Sequence, residues 1–276
     1  MKQYFKMPNS IVLVGVFATI IVIYLLLSGD IGSTSALPSV VAKPQTKLAK
    51  LPDFSQYADV KEKKEAFFNT LYPIIEYENQ HIAKVRQSVL ILQAIKTEAL
   101  STAENKWLTK LAQHYKVTAA PRDEDFFERL LLRVDYLPPS LALTQAAIES
   151  GWGSSRFSKQ GNNLFGQWCF KKGCGMVPSA RDSGKGHEVA RFKSVNDSVR
   201  AYLQNLNTHS SYQSLRQMRA RIRQNNGAIT GVELAKSLLK YSEEGPHYVK
   251  KVTRFINQNK LQRFTAQFEK SLFLVE

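Results

Sequence analysis

The chain is predicted to be α+β and mainly α, with a small β-lobe, a helical region ahead of it and an N-terminal transmembrane helix. Three observations predict this. Apolar residues recur at spacings of three and four through residues 60–118 and again through 194–240, the period of helices with one buried face. Strand-like alternation is confined to short runs, Gln167-Trp168-Cys169-Phe170 and Glu188 to Phe192. Ile11–Leu27 is seventeen residues without a charge, apolar on every face.

That first run follows Lys2 and Lys6. Positive charge before a span predicts a cytoplasmic N-terminus, residues 1–10, and an exported bulk. We expect an uncleaved anchor over 11–27; the competing reading is a signal peptide cleaved near Thr34-Ser35-Ala36. Residues 28–59 are rich in Ser, Ala, Pro and Lys, and Pro38, Pro44 and Pro52 argue against regular structure. They are expected to be a flexible linker with a root-mean-square reach of roughly 30 Å.

Residues 60–118 are expected to be accessory helices. Phe67, Phe68, Leu71, Ile74 and Ile75 share a face, and Pro73 starts a new helix or kinks an old one. Ile82, Val85, Val89 and Leu92 continue the stripe. Ser101 and Glu104 form a capping-box pattern ahead of Trp107, Leu108, Leu111 and Tyr115. The main domain is placed at 119–264, and 265–276 is expected to be a marginal tail or short helix.

Hydrophobic residues make up 43% of the 276, enough for a packed core and against a disordered chain. The net charge is +15, and residues 136–276 carry +12 of it. Such a surface implies an anionic partner: nucleic acid, a membrane surface or an acidic polymer. Arg216, Arg219, Arg221 and Arg223 are either part of that surface or an ordinary solvated helix face.

The chemistry is concentrated in Leu141–Gly166. Glu149 sits near the end of an apolar run that reads as a helix buried on most sides, with Ser140 as N-cap and Gly151 as stop. A carboxylate there faces the negative end of the helix dipole and apolar neighbours, and both raise its pKa. A general acid needs that property at neutral pH. The alternative is a solvated helix end or an Arg pair. Cys169 and Cys174, the only cysteines, are expected to form one disulfide closing a small hairpin in an exported chain. Two thiolates without a His in register cannot complete a zinc site, so neither metal nor cofactor is expected.

The pattern AxxESGWG at 146–153, followed by NNLFG at 162–166, resembles the glucosaminidase-type cell-wall hydrolases of glycoside hydrolase family 73. The resemblance implies a lysozyme-like fold and cleavage of the β-1,4 bond after N-acetylglucosamine in peptidoglycan, with Glu149 as general acid. It also implies a second acid in the β-lobe. Glu188, 39 residues after Glu149, is one candidate and Asp182 the other; if neither acts, the substrate's N-acetyl group assists. Asn163 and Phe165 of NLFG are expected beside the cleft as substrate-binding residues, Asn163 otherwise being a turn residue. Trp152 either stacks on a sugar or packs under the helix. Tyr248, with Tyr241 as a weaker candidate, matches a cleft tyrosine that holds the acetamido group or the attacking water. Peptidoglycan strands would be the partner, the membrane would be met through the anchor, and no nucleic acid is expected. The implied location is the inner membrane with the domain in the periplasm; oligomeric state stays open. A wall-binding protein without catalysis and a lytic transglycosylase are the competing classes.

Overall fold

Asp59 starts the longest helix by accepting the Glu62 N–H, and α1 then runs unbroken over Val60–Gln93. This computed structural model describes residues 36–121, 123–179 and 186–273. The expected membrane anchor and Asp182 lie outside the described residues. Among those described, no helix is long and apolar enough to cross a membrane.

Pro73 lies inside α1 and neither starts nor ends a helix. A proline frees the carbonyl four residues before it. Here that residue is Asn69, which is exposed, so water can meet the carbonyl and the helix continues. The predicted stripe is buried: Phe67, Phe68, Leu71, Ile75, Val85 and Val89 are all closed to solvent. Each such side chain contributes about 1.5–3 kcal/mol of burial.

The predicted capping box opens α2 (Thr102–His114), with the Ser101 and Glu104 side chains each accepting the other's backbone N–H. Then follow α3 (Phe126–Arg133), α4 (Pro139–Ser150) and α5 (Arg156–Gly161). The β-lobe comes next: β1 (Trp168–Cys169), β2 (Gly175–Met176) and β3 (Glu188–Ala190). The chain closes with α6 (Val195–Thr208), α7 (Gln213–Gln224), α8 (Gly231–Ala235), α9 (Pro246–Gln258) and α10 (Gln262–Phe273). The architecture is mainly helical with a small antiparallel sheet in the order β1-β3-β2. The buried helix α4 is central, packed against α1, α8, α9 and α10.

Several expectations change at this level. The described residues from Pro38 onward pack as one unit, with α1 packed on the main domain as part of one core. Its phenylalanines share a hydrophobic core with Leu141, Ala146 and Tyr248, and Arg200 of α6 clasps the buried Glu78 carboxylate with two hydrogen bonds of 2.6 and 3.1 Å. From Pro38 to Asp59 the chain does not behave as a free linker. It has no long element, yet it is strapped to the body: Trp107 donates to the Pro38 carbonyl, Val195 N–H to Leu48 and Asn162 to Ala49. Phe54 is buried edge-on to Phe67. Irregular backbone satisfied by distant partners leaves no periodic trace in sequence. The C-terminal segment takes the second of its two expected forms, a short helix, and it is tied to the body. Thr265 accepts the Ser140 N–H and donates to Ser140 Oγ, while Ser140 donates to Gln262. The cap residue of α4 is accordingly Pro138, with Pro139 in the first turn, and Ser140 ties α4 to α10 instead of capping it.

The basic run of α7 is neither a grip nor a solvated face at Arg216 and Arg219, which are buried. Arg216 donates to the Leu206 and His209 carbonyls. Arg219 donates to Leu132, Asp135 and Tyr136, the segment that leads into α4.

In the lobe, the predicted strands occur, and Cys169–Cys174 form the expected disulfide. The two cysteines flank β3 on opposite sides rather than closing a simple hairpin, because β1 and β2 each pair with β3. Gly175 makes this possible: a Cβ there would stand 2.0 Å from the Val189 carbonyl oxygen. Gly175→Ala is expected to unpair β2 from β3. Hydrogen exchange should accelerate at 174–176 and 188–190 while the helical body melts at nearly its original temperature.

Candidate active site

Helix α4 is buried along almost its whole length, and Gly151 ends it in the left-handed conformation, which leaves Glu149 in the last turn. Glu149 is half-buried. Its Oε1 accepts the Tyr248 hydroxyl at 2.7 Å. Tyr248 in turn accepts Gln145 Nε2 at 3.1 Å, and Gln145 Oε1 accepts the Tyr202 hydroxyl at 2.7 Å. Tyr202, Gln145 and Tyr248 are buried, and every bond in the chain points toward the carboxylate. A fully satisfied buried network holds one geometry, because any rotation leaves a polar atom unpaired.

The other oxygen, Oε2, accepts no hydrogen bond among the described residues. It lies beside Gly166, whose backbone has a φ of +63° and on which a Cβ would stand 3.8 Å away. The left-handed backbone is what asks for glycine there; a Cβ would only touch Oε2 at ordinary contact distance.

Burial raises the Glu149 pKa above the ordinary 4.5; the Tyr248 hydrogen bond and Lys251 pull it down, and Glu244 pushes it up. The direction agrees with the sequence argument. The surrounding phenols stay protonated, since burial and the Glu149 charge raise the pKa of Tyr248 and Tyr202. Tyr248→Phe is expected to lower turnover by roughly 10- to 100-fold, the scale of about 1.5–3 kcal/mol for a hydrogen bond to a charged group. It also removes an influence that lowers the Glu149 pKa, so the alkaline limb of the pH–rate profile should move to higher pH.

The remaining sequence candidates fall into two groups. Tyr241 and Phe165 lie at the site but act through others. Tyr241 stacks on Tyr248 at 5.4 Å and donates to the Phe165 carbonyl; Phe165 stacks on Tyr202 at 4.0 Å. Together they wedge both phenols of the network in place. Asn163, Trp152 and Glu188 have other work. Asn163 is buried, and both ends of its amide bond backbone: Nδ2 to the Gln167 and Ala190 carbonyls, Oδ1 from the Phe165 and Gln167 N–H groups. It is a turn residue that joins the lobe to the body, not a substrate ligand. Trp152 packs against Phe67, Phe68 and Phe255 at 5.4–5.5 Å, with the Lys64 ammonium over its ring. Its φ of +59° is costly for a bulky residue and is offset by that packing, so it is not a sugar platform.

Glu188 is buried, and its carboxylate oxygens accept the Gly173 and Gly175 N–H groups at 2.9 and 2.8 Å. It fastens the turn between β1 and β2. A carboxylate committed to backbone donors is poorly placed to activate water, and the reading of Glu188 as the second charge loses its support.

Gln145 and Tyr202 also belong to the site, although no sequence motif singles them out. Gln145 left a signal: it is the polar residue one turn before Glu149, at i−4, in an otherwise apolar helix. Tyr202 left none, since a tyrosine on an apolar helix face looks like core.

A half-buried acid in the last turn of a buried helix, beside a small three-stranded lobe, fits a glycosidase-type protein, and the chain belongs to the glucosaminidase family. The family model described as mannosyl-glycoprotein endo-β-N-acetylglucosaminidase matches residues 125–261. The chain is 36% identical over 208 residues to Protein bax of Escherichia coli (strain K12), covering 75% of this chain and 73% of that protein. It also bears a distant likeness to the catalytic domain of the autolysin Auto from Listeria monocytogenes, at 20% identity and a TM-score of 0.41, over 79% of this chain and 90% of that one.

Proposed function

We propose that this chain hydrolyses the β-1,4 bond after N-acetylglucosamine in peptidoglycan, as an endo-β-N-acetylglucosaminidase with Glu149 as general acid. The observation that carries this reading is the Glu149 carboxyl itself, clamped at Oε1 by Tyr248 and open at Oε2 beside Gly166. Protonated Glu149 gives its proton to the leaving glycosidic oxygen as the bond to C1 breaks. The developing positive charge at C1 needs an electron pair. With Glu188 engaged in the lobe and Asp182 outside the described residues, we take the acetamido oxygen of the same sugar as the source, bonding to C1. Water then displaces that oxygen and returns a proton to the Glu149 carboxylate, so the anomeric configuration is retained. The domain would act on the periplasmic side of the inner membrane, held there by the segment 11–27.

The same acid also suits a lytic transglycosylase, in which the bond after the muramic residue breaks and a hydroxyl of that residue attacks its own C1 in place of water. Digesting purified sacculi with the full chain and identifying the new sugar ends by mass spectrometry separates the readings. Reducing N-acetylglucosamine ends support the proposal, anhydro-muramyl ends replace it with the transglycosylase, and no new ends would leave a wall-binding protein.

A further inference from the structure

One face of α9 carries His247, Lys250, Lys251 and Arg254, at i, i+3, i+4 and i+7, followed by Gln258. With Phe255 as its apolar wall, this face lines a hollow of about 330 Å³. Its charges are poorly compensated. Lys251 has one exposed partner, Glu244 at 3.6 Å; Lys250 and Arg254 have no carboxylate within 4.0 Å among the described residues. Nearby like charges with few counter-charges repel one another, and an anion in the hollow relieves that.

The hollow lies on the same helix as the tyrosine that holds the acid. Tyr248, next to His247 in sequence, holds Glu149, and the Lys251 charge acts on Glu149. At the far side Phe255 packs on Trp152, over which the Lys64 ammonium of α1 sits. Cationic groups therefore run from one turn beyond the Tyr248–Glu149 contact to the edge of α1. N-acetylglucosamine is uncharged, and where a muramic residue bears a peptide its lactyl carboxyl is taken up in the amide bond, so the anionic groups of a peptide-bearing strand are the carboxylates of its peptides. We propose that this hollow binds the peptide carboxylates borne by the saccharide next to the bond that is cut. The inference rests on the proposed function and names the form of substrate the site prefers: glycan carrying acidic peptides over bare glycan. A concave site on the helix that holds the acid suits a substrate branch better than a flat membrane surface does.

The test is a binding measurement, independent of turnover. The Glu149→Gln full chain is titrated with three ligands: glycan oligomers bearing acidic peptides, the same oligomers with their peptide carboxyls amidated, and peptide-free oligomers with their muramic lactyl carboxyls amidated. Amidation or removal of the peptides is expected to weaken binding by about tenfold at low salt, less at high salt. Adding Lys250→Gln and Arg254→Gln should erase the difference. Equal affinity for the three ligands overturns the proposal, as does a difference that survives the double substitution. So does a double variant that loses binding to phosphatidylglycerol vesicles but keeps its preference among the glycans. Cleavage of peptide-free glycan by the unsubstituted chain reports on Glu149 alone, so failure of the hydrolase reading shows up separately.

Discussion

Replacing Glu149 with Gln is expected to lower the release of glycan fragments by roughly 10²–10⁴-fold, the contribution of a general acid. The substitution is nearly isosteric, and its amide oxygen can still accept the Tyr248 hydroxyl that now meets Oε1 at 2.7 Å. The network from Tyr202 through Gln145 therefore persists, and only the transferable proton is lost. Stability moves the other way. Burial raises the pKa of folded Glu149 above 4.5. Between 4.5 and that raised value the folded state holds a proton that the unfolded state has released, so stability falls as pH rises through this window. Above it, ionised Glu149 is a cost that Gln does not carry. The variant should thus be as stable as the parent at acid pH and equal or slightly more stable at neutral pH. The same titration sets the alkaline limb of activity in the parent: the acid is spent as pH climbs past its raised pKa. Undiminished fragment release by Glu149→Gln, at any pH, removes the mechanism.

Asp135→Asn is expected to cost about 3–5 kcal/mol at neutral pH, the effect of breaking a buried ion cluster from one side. Asp135 is buried and receives two 2.6 Å hydrogen bonds from Arg223, with Arg219 at 3.5 Å and Arg86 at 3.7 Å. Burial alone would raise its pKa, but Arg219, Arg223 and Arg86 outweigh that and hold it below the ordinary value of 3.8. Burial lowers Arg219 to about 10, still charged at neutral pH, so neutralising Asp135 strands a guanidinium in the core. For a body of this size the loss corresponds to a fall in melting temperature of roughly 6–20 °C. The sign of the pH dependence follows. A depressed carboxylate contributes its stability above the unfolded value, and that contribution is lost as pH falls through the folded one. The gap between parent and variant should therefore be full at pH 6–7 and close in strong acid. An unchanged melting temperature at neutral pH would show the cluster contributes nothing net. Because Arg219 also holds the Leu132, Asp135 and Tyr136 carbonyls just before α4, the variant is further expected to loosen the entry to the helix that bears Glu149.

Sequence alone determined the features whose causes are local. The stripe through 60–92 marks α1 because helical period and burial share one repeat. An acid in an apolar run before Gly151 marks Glu149, since its immediate neighbours supply both the helix end and the desolvation. The motif around it carried the family, and two cysteines five residues apart carried the disulfide. Tertiary structure decided what the polar and aromatic side chains do. Tyr248 meets Glu149 across 99 residues, and Tyr202 meets Gln145 across 57. Glu188 fastens the lobe, Trp152 lies among the α1 phenylalanines, Arg219 is buried and residues 38–59 form a strap; each is set by a partner distant in the chain. Period and propensity describe how a residue sits on its own element. A hydrogen bond or ion pair also depends on which other element arrives opposite it, and only packing decides that.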